Sequence, residues 1–239
     1  MKVEVCFSPA LYPYYIENND ITVVIVDIFR ASTTICAALN NGAKSIMPVA
    51  SINEAREYKE KGYLVGAERN VRRCDFADFG NSPFDYTPER VKDKDIVFTT
   101  TNGTRAIEAA ADCNCLVIGA FSNLKAITDF CISLEQDVVV LCAGWNNRFN
   151  IEDSLYGGAL AEALVEYGGY SPASDASKVA LSMWEEAKTN IALYINRTEH
   201  IKRLEANNLQ DSVNYCLTPD TVSIVPIYNK LTKKITIAQ

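Results

Sequence analysis

The chain is poor in histidine: of 239 residues only His200 carries an imidazole. That scarcity excludes a His-rich zinc centre and speaks against Ser-His-Asp and Cys-His nucleophile systems. His200 itself stands in a charged segment, Arg197-Thr198-Glu199-His200-Ile201-Lys202-Arg203, expected to be an exposed helix with a structural histidine. Acid–base and metal chemistry should then come from carboxylates, and oxygen-only ligands suit magnesium. Excess positive charge is missing too. With 23 Lys and Arg against 30 Asp and Glu, the net charge is −7, which argues against nucleic acid as the main partner. An anionic substrate needs a local focus of positive charge instead.

Long apolar runs are absent. Ile21–Ile28 and Val138–Ala143 are far too short to span a bilayer, so no membrane partner is expected. Glu4 interrupts any signal-like run in Met1–Phe7, and the expected setting is the cytoplasm. No Cys-x-x-Cys pair occurs among Cys6, Cys36, Cys74, Cys113, Cys115, Cys131, Cys142 and Cys216. They read as small core residues in a reducing compartment. G-x-x-x-x-G-K-[ST] and G-x-G-x-x-G are also lacking, so neither a P-loop nor a nicotinamide site is indicated.

What the chain does have is alternation. Ile21–Ile28 is a nearly continuous β-branched run, as expected for a strand buried on both faces. Further strands are expected at Met1–Phe7, Lys44–Pro48, Tyr63–Gly66, Asp95–Thr99, Cys115–Gly119 and Val138–Ala143. Helices are expected at Thr33–Asn40, Ile52–Lys61, Thr104–Ala111, Asn123–Leu134 and Glu152–Tyr167, where Gly157-Gly158 permits close packing. This order predicts an α/β fold, three layers with helices around a largely parallel or mixed sheet. After a turn-rich break at Ser171–Asp175 come expected helices Ala176–Ile195, Arg197–Asn207 and Leu209–Cys216, then strands Val222–Tyr228 and Lys233–Ile237. The reading is one compact unit, 1–239, with any subdivision near 170 separating an α/β core (1–170) from C-terminal helices and two strands (171–239). Residues 66–93 are expected to form a long charged loop.

Strand ends carry the candidate chemistry, as in open α/β sheets. The strand Asp95–Thr99 runs into Thr100-Thr101-Asn102-Gly103-Thr104 and then an alanine-rich helix. Free N–H groups at the helix start, threonine hydroxyls and a glycine suit an anion, although the same turn also serves as a plain helix cap at Thr101 or Asn102. Asp27 ends the Ile21 strand. A carboxylate there must be paired or hold a metal, and Arg30 could fork onto it or onto a phosphate. Glu68 ends another strand. Ala143-Gly144 leads through Arg148 to Glu152 and Asp153, which could face a metal or merely complement a helix dipole. Carboxylates, a phosphate cradle and positive forks are the parts of magnesium-assisted phosphoryl transfer.

In these motifs the chain resembles the 2-phosphosulfolactate phosphatase family (ComB-like proteins). The resemblance rests on Val26-Asp27 to Arg30-Ala31-Ser32-Thr33, Gly80-Asn81-Ser82-Pro83, Thr100–Thr104, and Ala143-Gly144 with Glu152-Asp153, in that order, over the first two thirds. It implies an α/β, magnesium-dependent phosphatase. Such an enzyme hydrolyses the phosphate ester of 2-phospho-3-sulfolactate, a small anionic substrate, to sulfolactate and phosphate, a step of coenzyme M biosynthesis in methanogens. The family usually has Gly-Phe-Asp before the Gly-Asn-Ser-Pro turn; here Phe76-Ala77-Asp78 keeps only the acid, and Asn70–Asp75 is basic, which bears on the substrate. The expected roles follow. Asp27 with Glu68 or Asp153 holds Mg2+; Asn81, Ser82, Thr100, Thr101, Asn102, Gly103, Thr104 and Arg148 bind substrate; Arg30 stabilises charge. Glu152 or Asp153 orients water or protonates the leaving group. Phe29 stands where an aspartyl-phosphate enzyme has its second aspartate, so direct water attack is favoured over a phospho-aspartyl route. An anion-binding module without catalysis and a phosphotransferase are the rival readings, and the composition allows a homodimer.

Overall fold

The computed structural model describes residues 1–16, 20–196 and 198–238. In chain order the strands are β1 (Lys2–Cys6), β2 (Thr22–Val26), β3 (Ser45–Pro48), β4 (Leu64–Arg69), β5 (Arg72–Arg73), β6 (Asp95–Thr99), β7 (Cys115–Gly119), β8 (Val138–Cys142), β9 (Ser171–Pro172), β10 (Pro226–Asn229) and β11 (Lys234–Ile237). The helices are α1 (Ala31–Asn40), α2 (Ile52–Glu60), α3 (Pro88–Val91), α4 (Gly103–Ala109), α5 (Leu124–Leu134), α6 (Ile151–Gly168), α7 (Asp175–Ala187), α8 (Ile191–Ile195), α9 (Glu199–Ala206) and α10 (Val213–Leu217).

The β-branched strands face two cores at once. Alternate residues of a strand point to opposite faces. Val24 and Val26 of β2, with Val138 and Val140 of β8, enter one apolar cluster; Val23, Ile25, Val139 and Leu141 enter the other. Helices α5, α6 and α7 close the first through Ile127, Leu155, Leu160 and Ala180. Helices α1 and α4 close the second through Ile35, Leu39, Ala106 and Ile107. A smaller cluster sets Ala55 of α2 against Val65 and Val97. The result is the expected three-layer α/β arrangement.

The sheet is mixed. Its order is β5-β4-β6-β3-β11-β10-β7-β2-β8-β1-β9. Strands β7, β2, β8, β1 and β9 form one parallel block; β3, β6 and β4 form another. The hairpin β10–β11 lies between them, antiparallel to β7 on one side and to β3 on the other. Three successive antiparallel pairings leave the two blocks opposed in sense. Asp27 after β2 of one block and the turn after β6 of the other are nevertheless in contact: a Cβ placed on Gly103 would lie 2.9 Å from Asp27 Oδ2.

Some expectations need correction. Residues 66–93 are not a long loop: β4 continues through Glu68 to Arg69 and folds back on β5 as a hairpin. The single helix expected over 176–195 is two, because Asn190 accepts the Leu193 N–H and starts α8 afresh. Residues 209–216 form a 3-10 turn, Gln210–Ser212, followed by α10. The break at Ser171–Asp175 includes an edge strand, β9, and the strand expected from Val222 begins only at Pro226. Arg197, expected to open a helix, lies outside the described residues.

Candidate active site

Asp27 stands one residue beyond β2, buried, with its carboxylate accepting the Ala31 N–H. Burial pushes its pKa up to about 6; Glu68 and Glu152 add to the rise, while His200 and the Ala31 N–H oppose it. Its backbone is fixed from both sides: Asp27 N–H donates to Ser32 Oγ (2.8 Å) and the next amide, Ile28 N–H, to Asp153 Oδ1 (2.9 Å).

The turn after β6 presses on this carboxylate. Gly103 allows it, since a Cβ there would also meet Ala31 Cβ at 2.7 Å and Thr100 Oγ1 at 3.3 Å. Thr100 is buried, and among the described residues its hydroxyl has no partner. Thr104 Oγ1 donates to the Thr100 carbonyl (3.2 Å), which fixes the turn. Asn102 occupies the N-cap position of α4 without capping it; its Oδ1 accepts the Asn146 N–H instead (3.1 Å). Thr101 donates from Oγ1 to Glu68 Oε1 (3.1 Å), and Glu68 also accepts the Val71 and Thr101 amides. Glu68 therefore joins the β4–β5 hairpin to the turn.

Arg30 is buried at the start of α1 and donates from Nη1 to Ser212 Oγ (3.3 Å), a residue of the C-terminal third. Burial pulls its pKa below the ordinary guanidinium value. No Asp27–Arg30 ion pair forms among the described residues. Asn81 is buried, its Oδ1 without a partner among the described residues, and its carbonyl accepts the Thr34 hydroxyl (3.2 Å); Ser82 beside it is half-buried.

Glu152 and Asp153 open α6 side by side but differ in role. Asp153 is fully engaged: Oδ1 accepts Ile28 N–H, and Oδ2 accepts Gly144 N–H (3.1 Å) and Asn150 Nδ2 (2.9 Å). It ties the ends of β2 and β8 together. Burial, then Asp27 and Glu152, hold its pKa well above the usual carboxylate range. Glu152 Oε1 sits 2.5 Å from His200 Nδ1, both side chains buried, and Glu152 Oε2 and His200 Nε2 have no partner among the described residues.

His200 therefore is not on an exposed face, contrary to expectation. It turns inward with Ile201 and Leu204 of α9, against the edge of Phe29 (ring centroids 5.5 Å apart) and Trp145 (5.6 Å). Arg203, one turn on, lies over the Trp145 ring at 4.1 Å. A cavity of about 320 Å³ opens here, lined by Trp145, Arg148, Glu152, His200 and Arg203, with Arg148 exposed. His200, Trp145, Arg203 and Ser212 escaped the sequence reading. The one usable signal was the inward spacing of His200, Ile201 and Leu204 in an otherwise charged helix.

Among the described residues no three His, Cys, Asp or Glu side chains are placed to enclose a metal ion. Asp27 is the carboxylate of the expected set with the least prior engagement, whereas Asp153 and Glu68 both spend their oxygens on protein donors. That fits magnesium only in its sparing mode, one or two carboxylates supplemented by phosphate oxygens and water. No helix among the described residues is long and apolar enough to cross a membrane.

Compared with known proteins, the chain matches the family described as 2-phosphosulpholactate phosphatase over residues 6–230. It is 37% identical over 239 residues to a probable 2-phosphosulfolactate phosphatase of Clostridium novyi, spanning 98% of this chain and 100% of that protein. Proteins of the same name from Clostridium tetani (39% over 213 residues, 88% of this chain and 90% of that protein) and Thermotoga maritima (35% over 205 residues, 86% and 88%) are similar to it as well.

Proposed function

The chain belongs to the 2-phosphosulpholactate phosphatase family, and from that premise we propose that it hydrolyses the phosphate ester of 2-phospho-3-sulfolactate, with magnesium, to sulfolactate and phosphate. The observation that carries the reading is the contact of Asp27 with the Thr100–Gly103 turn, where a buried carboxylate and a buried hydroxyl with no partner among the described residues converge across a glycine whose Cβ would collide with Ala31. The Thr100 hydroxyl and the turn's amides bind phosphoryl oxygens. Arg30, stationed by Ser212, supplies positive charge as negative charge moves onto the leaving oxygen. Asp153 keeps Asp27 and Gly144 in register and touches no substrate. Asp27 would hold the magnesium, which neutralises charge on the phosphoryl oxygens when bound. The eight cysteines are all free and mostly buried, in keeping with a reducing, cytoplasmic setting.

Phosphate release from 2-phosphosulfolactate, with magnesium and then with EDTA, beside a panel of other phosphorylated hydroxy acids, tests this. Selective, magnesium-dependent release is expected. Release from another panel member alone would replace the substrate, and magnesium-independent anion binding without turnover would replace the enzyme by a binding module.

A further inference from the structure

The chain's single imidazole is held in a way its packing alone does not require. His200 Nδ1 is 2.5 Å from Glu152 Oε1, and both side chains are almost wholly buried. Phe29 and Trp145 fix the ring from two sides. Nε2 is buried and unpartnered among the described residues, on a ring that lines the cavity between the 145–150 loop and α9. A purely structural buried histidine satisfies both nitrogens, because a buried polar atom without a partner loses its hydration with nothing to replace it. Phe29, which touches the ring, lies between Asp27 and Arg30 in sequence, and the Trp145 loop bonds to the Thr100–Gly103 turn through Asn146 and Asn102.

We propose that His200 is the general acid of the phosphatase reaction and that Glu152 is its positioning residue; this rests on the function proposed above. Glu152 fixes the Nδ1 end, so Nε2 is the end that exchanges a proton. Water attacks phosphorus and forms the new P–O bond. The ester P–O bond breaks with its electron pair going to the leaving alkoxide oxygen. Nε2–H protonates that oxygen to the alcohol, and a proton from the attacking water returns to the imidazole. The assignment resolves the Glu152-or-Asp153 alternative: Asp153 has no free oxygen, and Glu152 acts through the ring.

The test is leaving-group dependence. An alkyl ester needs its leaving oxygen protonated, whereas 4-nitrophenyl phosphate does not. His200→Gln should lower kcat on an alkyl phosphate substrate by roughly 10²–10⁴-fold and on 4-nitrophenyl phosphate by less than about tenfold. Glu152→Gln should show the same contrast, and the double variant should be no worse than His200→Gln. Equal losses on both esters, or no loss, overturn the proposal. Should the variants fail to fold, the wild-type protein decides it: rates over substituted phenyl phosphates should vary little with leaving-group basicity, and a steep dependence excludes a general acid. If the wild type hydrolyses these esters but not 2-phosphosulfolactate, the substrate assignment fails while the His200 contrast still decides. A wild type that hydrolyses none of them overturns both.

Discussion

Asp27 is a charge kept where it costs stability. In the unfolded chain its carboxyl ionises near 3.8; in the fold, burial raises that to about 6. The folded state therefore retains a proton that the unfolded state gives up, so stability falls as pH rises through the window from about 4 to 6. Above it the penalty is complete, of order 2–3 kcal/mol from the size of the shift. Asp27→Asn removes the charge and keeps an acceptor for the Ala31 N–H. It should be more stable than wild type by about 1–3 kcal/mol at pH 7.5 in magnesium-free buffer, lose that advantage below pH 4, and release no phosphate. Urea denaturation at several pH values measures the first two, and an unchanged turnover rate would remove Asp27 from the site. Asp27, Thr100 and Gly103 could be seen in the sequence because their chemistry is local, each at the end of an apolar strand. His200 could not: its partner Glu152 is 48 residues away, and the charges flanking it in α9 mask the side that turns inward. Glu68 was identified as a strand-end acid, but its bonds to Thr101 and Val71 depend on a hairpin that the charged residues 69–75 conceal.

Between elements, glycines set how closely the site can close. Gly103 lets the start of α4 rest on the start of α1 and on Asp27. Gly103→Ala would place a methyl 2.7 Å from Ala31 Cβ and 2.9 Å from Asp27 Oδ2, closer than carbon and oxygen tolerate. The turn must then lift away from the carboxylate. The expected cost is about 1–3 kcal/mol of stability, with phosphate release falling at least tenfold because the Thr100 hydroxyl moves with the turn. Thermal melting and turnover on the same preparation check this, and a melt lowered with activity intact would show that the contact serves the fold alone. Most strands and helices were legible at this scale because apolar period and length agree. The elements that differ are those fixed from outside themselves. Strand β9 exists because β1 offers its edge to Ser171 and Pro172, and the break before α8 depends on the Asn190 cap within a sequence that is helical on either side.

At the scale of the molecule, the last strands of the chain are the middle of the sheet. Hairpin β10–β11 separates the block that carries Asp27 from the block that carries Glu68 and the Thr100 turn, and it pairs with both. Ile235 of β11 is fully buried in the cluster that also holds Ile25, Ile46, Ile96 and Leu141, residues of both blocks. Nothing in 222–239 read alone marks it as central, since a short terminal β-pair fits an edge equally well. The placement makes the site a property of both blocks, because Asp27 follows β2 of one and the Thr100–Gly103 turn follows β6 of the other. One cooperative unfolding transition is therefore expected for the 239-residue chain. Trp145 and Trp184 lie with the first block, whereas the tyrosines report on both, Tyr156 and Tyr170 with the first and Tyr58, Tyr63 and Tyr86 with the second. Tryptophan fluorescence and tyrosine near-ultraviolet signals should lose structure at the same denaturant concentration. Ile235→Ala should lower both midpoints together, by about 2–5 kcal/mol of stability, although it touches no catalytic group. A chain ending at Val225 should show no cooperative transition, because β7 and β3 then expose edges that nothing covers. Two separated transitions in the intact protein, with phosphate release following only one of them, would mean that the blocks fold apart and that the hairpin merely joins them.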